Sequence, residues 1–95
     1  MKDTTIQFNF SNRIYSAEVV PSFIEKPFYF FIFFKENEII NEFGDEISIA
    51  TSDGQSILNT ITTNIKVKKM KEIIFMEIKK VPEYLSKLKN LSLQS

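Results

Sequence analysis

Residues 27–35 read PFYFFIFFK: seven apolar residues in a row, Phe28 to Phe34, bounded by Lys26-Pro27 and Lys35-Glu36. In a strand, alternate side chains point to opposite faces, so Phe28, Phe30, Ile32 and Phe34 share one side and Tyr29, Phe31 and Phe33 the other. The run is far shorter than the roughly 20 residues a membrane helix requires. It reads as the third strand of a sheet, over about 28–35, and both of its faces are apolar.

Its neighbours are one-sided. Thr4 to Phe10 alternates, with Ile6, Phe8 and Phe10 against Thr5, Gln7 and Asn9, the pattern of a half-buried strand. A two-residue turn at Ser11-Asn12 predicts a hairpin with a second strand over about 13–20, setting Phe8 opposite Tyr15, Gln7 opposite Ser16 and Ile6 opposite Ala17. That register collects Ile6, Phe8, Phe10, Tyr15, Ala17 and Val19 on a dry face, and Thr5, Gln7, Asn9, Ser16 and Glu18 on a wet one. Pro21 is expected to end the second strand, because it cannot donate to a ladder, and 22–27 to form a loop.

Downstream of the third strand, residues 37–43 predict a short helical turn closed by Gly44 in the left-handed conformation. A fourth strand is expected over about 46–51, stopped at Ser52-Asp53-Gly54, and 55–63 is polar and without clear periodicity. Val67, Met70, Ile74, Ile78 and Val81 fall on one helical stripe, so a helix is expected over about 66–80. The run Ile73-Ile74-Phe75-Met76 leaves a further strand as the alternative. Pro82 suits the first turn of another helix over about 83–91, with Tyr84, Leu85, Leu88 and Leu91 apolar; a frayed tail is expected after it. The expected fold is α+β: a four-stranded, mainly antiparallel sheet with C-terminal helix or helices packed on one face, in a single domain of 95 residues.

Composition narrows the chemistry. Hydrophobic residues make up 43% and charged residues 25% of the chain, the balance of a folded globular protein. With no histidine and no cysteine, the usual general base near neutral pH, the thiol nucleophile and the common zinc ligands are missing. Two glycines, both in turn contexts, leave no phosphate-binding loop. Glu36, Glu38, Glu42, Asp45 and Glu46 lack the alternation of a calcium loop and read as a solvated acidic turn. No catalytic residue, metal site or cofactor is expected, and the protein is read as non-enzymatic. The first residues carry no apolar segment behind a basic one, so no secretory signal or membrane span is read and the cytoplasm is the expected compartment.

Charge is uneven although the net is zero: residues 1–65 hold four basic against nine acidic groups, and residues 66–95 eight against three. Lys68, Lys69, Lys79 and Lys80 are candidates for contact with a polyanion or an acidic partner. The stronger candidate surface is Tyr29, Phe31 and Phe33. Aromatic side chains bury about 150–250 Å² each, so three left open approach the roughly 300–600 Å² of the largest patch on a typical monomer. The chain's own helical segments, a second copy or a foreign partner could cover them. The expected function is a protein-interaction module acting through the aromatic strand, as a homodimer or on a protein partner. The alternatives are a small apolar-ligand binder using the same strand and, less favoured, a nucleic-acid binder using the basic helix.

Overall fold

The computed structural model describes residues 3–58 and 64–94. The elements run β1 (Thr4–Phe10), β2 (Arg13–Ser22), β3 (Phe28–Phe34), α1 (Asn37–Phe43), β4 (Glu46–Thr51), α2 (Ile65–Ile78) and α3 (Pro82–Gln94). The four strands form one antiparallel sheet in the order β1-β2-β3-β4, so this is an α+β fold with two C-terminal helices. Of the stretch 55–63 without periodicity, residues 59–63 lie outside the described residues, as do 1–2 and 95.

The hairpin has the expected register: Phe8 faces Tyr15, Gln7 faces Ser16 and Ile6 faces Ala17. Ser11 and Asn12 both take positive φ, 54° and 64°, as a primed two-residue turn requires to match the twist of its strands. One expectation fails next to it. Pro21 does not stop β2, which continues to Ser22 and pairs Pro21 with Phe30. The registered pairs of β1 end at Thr4 with Val19. Among the described residues, Pro21 therefore sits where β2 has only β3 as a registered neighbour, the edge context in which a missing N–H is tolerated.

The inner face of the sheet carries the core. Ile6, Phe8, Tyr15, Ala17, Val19, Phe30, Ile32, Phe34, Ile47 and Ile49 are buried there in one cluster with Ile39 of α1, Met70, Ile74, Phe75 and Ile78 of α2, and Tyr84 and Leu88 of α3. The segment 65–78 is helical throughout. Met70, Ile74 and Ile78 of its stripe are buried while Val67 and, beyond the helix, Val81 are half-buried, and Phe75, which the narrow stripe omits, is buried too, its ring 6.4 Å from that of Phe30. The Asn64 side chain starts the helix by accepting hydrogen bonds from the N–H groups of Lys66 and Val67 at 3.0 and 3.3 Å, satisfying donors that the helix cannot pair internally. α3 begins at Pro82, whose missing N–H costs nothing at a first helical position. It runs on to Gln94, past the expected stop near residue 91.

Two local devices position these layers. The loop after β2 places the Phe23 ring edge-on to Phe28, Phe30 and Tyr84, with centroids 4.9, 5.5 and 6.0 Å away, so this connection is part of the packing. After β4, the buried Thr51 hydroxyl accepts from the Gly54 N–H at 3.0 Å. Asp53 accepts from the N–H groups of Gln55 and Ser56 at 2.8 and 2.9 Å and from the Ser56 hydroxyl at 2.9 Å. These donors hold the Asp53 carboxyl at about 2, below its ordinary 3.8, because each favours the charged form. Gly54, at φ 75°, lies flat against the backbone of α3, where a Cβ would run into the carbonyl of Leu88. Gly44 also has positive φ, 87°, but with ψ 171°; it ends α1 outside the left-handed region expected of it, while its N–H still bonds the Ile40 carbonyl at 2.8 Å.

Two outcomes follow for stability. Gly54→Ala combines a left-handed backbone, about 1–2 kcal/mol for a residue with a Cβ, with overpacking against main chain, about 1–3 kcal/mol. Urea denaturation is expected to register a loss of at least about 2 kcal/mol, and a loss below half of that contradicts the docking of this turn on α3. For Asp53, the depressed folded value means that its contribution is present above its ordinary 3.8 and is lost as pH falls from about 4 toward 2. Asp53→Asn is therefore less stable than the parent at pH 7, and the two urea midpoints converge by pH 2. A gap that stays constant over that range contradicts the assignment.

Candidate functional site

The side of the sheet away from the helices is built in rows by the strand register. Cross-strand partners share a face, so Thr5, Glu18, Phe33 and Glu46 form one row. Val20, Phe31 and Ser48 form the next, and Ser22, Tyr29 and Ala50 the third. The aromatic rings run down the centre on β3. Tyr29 and Phe33 are 40% and 39% exposed, although both belong to a seven-residue apolar strand of a sheet whose other face is dry. Phe31 is half-buried, its ring stacked on that of Tyr29 with centroids 6.2 Å apart and planes 12° apart.

The chain's own helices do not cover this face. α1 turns inward, burying Ile39 and packing the Phe43 ring against Phe10 and Phe34, with centroids at 5.4 and 6.5 Å. α3 sits on the inner face through Tyr84, 5.5 Å from Phe30 between ring centroids. Of the covers that the sequence allowed, the α1 segment and the last helix are therefore both engaged elsewhere. Polar groups border the aromatic row unevenly. Glu18 and Glu46 flank Phe33, whereas Ser22 and Ala50 flank Tyr29. Glu36 adds charge at the acidic end, with Oε1 accepting weakly from the N–H and hydroxyl of Ser16 at 3.4 and 3.3 Å.

The four candidate lysines do not come together on one surface. Lys79 donates to the Gln55 carbonyl at 2.9 Å and lies 4.7 Å above the centre of the Phe75 ring. Lys80 is paired with Glu77 at 3.0 Å. Lys68 joins Lys71 and Lys79 along a groove of about 520 Å³ beside Ile57, Leu58 and Met76. Lys69 lines a different groove, of about 470 Å³, with Arg13, Glu38, Glu42 and Lys66. A third groove, about 550 Å³, runs between Gly54 and α3.

The acidic turn is distributed among partners that sequence reading did not identify. Glu38 accepts from the Tyr15 hydroxyl at 2.9 Å and from Arg13 Nη1 at 2.7 Å; these two donors hold its carboxyl below the ordinary range, and the Glu38 carboxylate in turn raises the Tyr15 phenol. Glu42 pairs with Lys66 at 3.1 Å. These links tie α1 to β2 and α2 at exposed positions, where such pairs contribute little. Nothing in residue spacing signals contacts 23 to 25 positions apart. Among the described residues no group of three acids is placed to hold a metal ion, and no helix is long and apolar enough to cross a membrane.

In comparisons with known proteins the chain matches no family model, no curated protein and no solved structure. The functional reading rests on its own surfaces.

Proposed function

We propose that this protein is a small, non-enzymatic interaction module that self-associates through the outer face of its sheet, with Tyr29, Phe31 and Phe33 at the centre of the contact. The observation that carries this reading is the aromatic row left partly exposed, with no helix over it, while all three helices pack on the opposite face. Aromatic residues are enriched and charged residues depleted at the core of protein interfaces, and this row has its acids at one end only.

The size of the face limits the contact. Four strands about 4.8 Å apart and seven residues advancing about 3.3 Å each give a surface of about 19 by 23 Å. Two such faces together bury on the order of 1,000 Å², at the low end for a specific contact. A contact of this size is expected to be reversible, with its strength set by how well the aromatic centre packs rather than by area. The competing uses of the same strand or helix draw less support. An apolar ligand needs a concave wall, and the three grooves described above lie around the helices instead. A polyanion needs its lysines on one unopposed surface; Lys68 and Lys79 share a groove with Lys71, but Glu72 lines it too, Lys69 lies in another groove with Glu38 and Glu42, and Lys80 is paired with Glu77.

Sedimentation velocity over a hundredfold concentration range tests the reading. The parent chain is expected to shift from monomer toward dimer, and Phe31→Lys to remain monomeric with an unchanged circular dichroism spectrum. Phe30→Lys, one position along and fully buried, places a charge in the core and is expected to unfold the chain, a loss above about 4 kcal/mol. A parent chain that stays monomeric throughout, or the same effect from both substitutions, contradicts the proposal.

A further inference from the structure

The border of the aromatic row restricts how two copies can meet. This inference rests on the self-association proposed above and concerns its geometry. Two faces packed against each other around a twofold axis have that axis in the plane between them, running either along the strands or across them.

An axis along β3 places Phe33 over Phe33 of the partner subunit and exchanges β2 with β4. Because Glu18 and Glu46 share the Phe33 row, each Glu18 would then face a glutamate of the other copy across a closing apolar contact. Like charges juxtaposed at an interface are strongly unfavourable. An axis across the strands, through the row of Val20, Phe31 and Ser48, keeps β2 over β2 and β4 over β4 but reverses their direction. The acidic row then faces the row of Ser22, Tyr29 and Ala50. Glu18 then faces the Ser22 hydroxyl, Glu46 faces Ala50, and Phe33 meets Tyr29, whose phenol is the donor left to reach Glu46.

We infer that the dimer is built around the second axis: Phe31 packs on its own symmetry mate, and the Tyr29 phenol and Ser22 hydroxyl of each copy donate to Glu18 and Glu46 of the other. In this orientation the two carboxylates at the Phe33 end meet the uncharged Tyr29 end of the other copy, and no acid faces an acid, as an isologous contact between these faces demands. This self-complementarity favours a second copy over a foreign protein. It also assigns a role to the two acids, which hold the orientation without lying under the aromatic centre.

The chain has no cysteine, so every thiol in a cross-linking experiment is an introduced one. Packed sheets lie about 10 Å apart. With the axis across the strands, Ser48→Cys faces itself, and Glu46→Cys faces Ala50→Cys. Ala50→Cys is then about 17 Å from its own copy, four residue steps away at about 3.4 Å each. A short bismaleimide is expected to link Ser48→Cys chains, to link the mixture of Glu46→Cys with Ala50→Cys, and to leave Ala50→Cys alone unlinked. Glu46→Lys is expected to weaken the dimer several-fold in sedimentation.

If Ser48→Cys links only when mixed with Val20→Cys, and Glu46→Lys strengthens association by facing Glu18 of the other copy, the axis runs along β3. The geometry is then overturned while self-association stands. Absence of every cross-link together with a monomeric parent chain overturns both.

Discussion

A strand that is apolar at every position must satisfy two faces, and β3 is central enough that neither face can be removed from the fold. Its inner residues Phe30, Ile32 and Phe34 are buried under the helices, and all three helices contribute side chains to the cluster that they nucleate. The alternation that sends those side chains inward sends Tyr29, Phe31 and Phe33 outward, since shifting a strand by one residue exchanges its faces. Both neighbours of β3 are registered to it over six residue pairs each. Core and outer row are consequences of one register, and neither face can be shifted without the other.

The energetics favour that arrangement despite the open face. Fully burying one large apolar side chain is worth about 1.5–3 kcal/mol, and the inner face collects nine of them, with Ala17, from the sheet alone. Against this, three partly exposed rings cost the monomer little, because Phe31 and Tyr29 already shield each other by stacking. Closure of the face by a second copy adds to stability only at concentrations that populate the dimer.

Much of the architecture is legible in the residues because it follows from short-range periodicity. The period of two in β1, β2 and β4 and the positive-φ turn at Ser11-Asn12 specify the hairpin and its register. The spacing of Met70, Ile74 and Ile78 specifies the buried side of α2. What escapes the sequence is long-range or depends on context. Phe23 lies in a loop of no periodicity, yet it packs against three rings. Pro21 extends a strand it would normally stop, since β2 outruns β1 there. Arg13 and Tyr15 meet Glu38, and Lys79 reaches the Gln55 carbonyl, only once the layers are assembled. The aromatic row itself is legible; that no helix covers it depends on which side α1 and α3 choose, and on that the sequence is silent.

The central claim is that the outer face meets a second copy while the helices stay in place. Nitrogen–proton correlation spectra recorded over a dilution series from millimolar to low micromolar protein test it most directly. Self-association through this face predicts concentration-dependent shifts at the amides of residues 18–22, 29–33 and 46–50, with those of α2 and α3 unmoved. Spectra that do not change with concentration, or that change along the helices while the sheet stays constant, would contradict it.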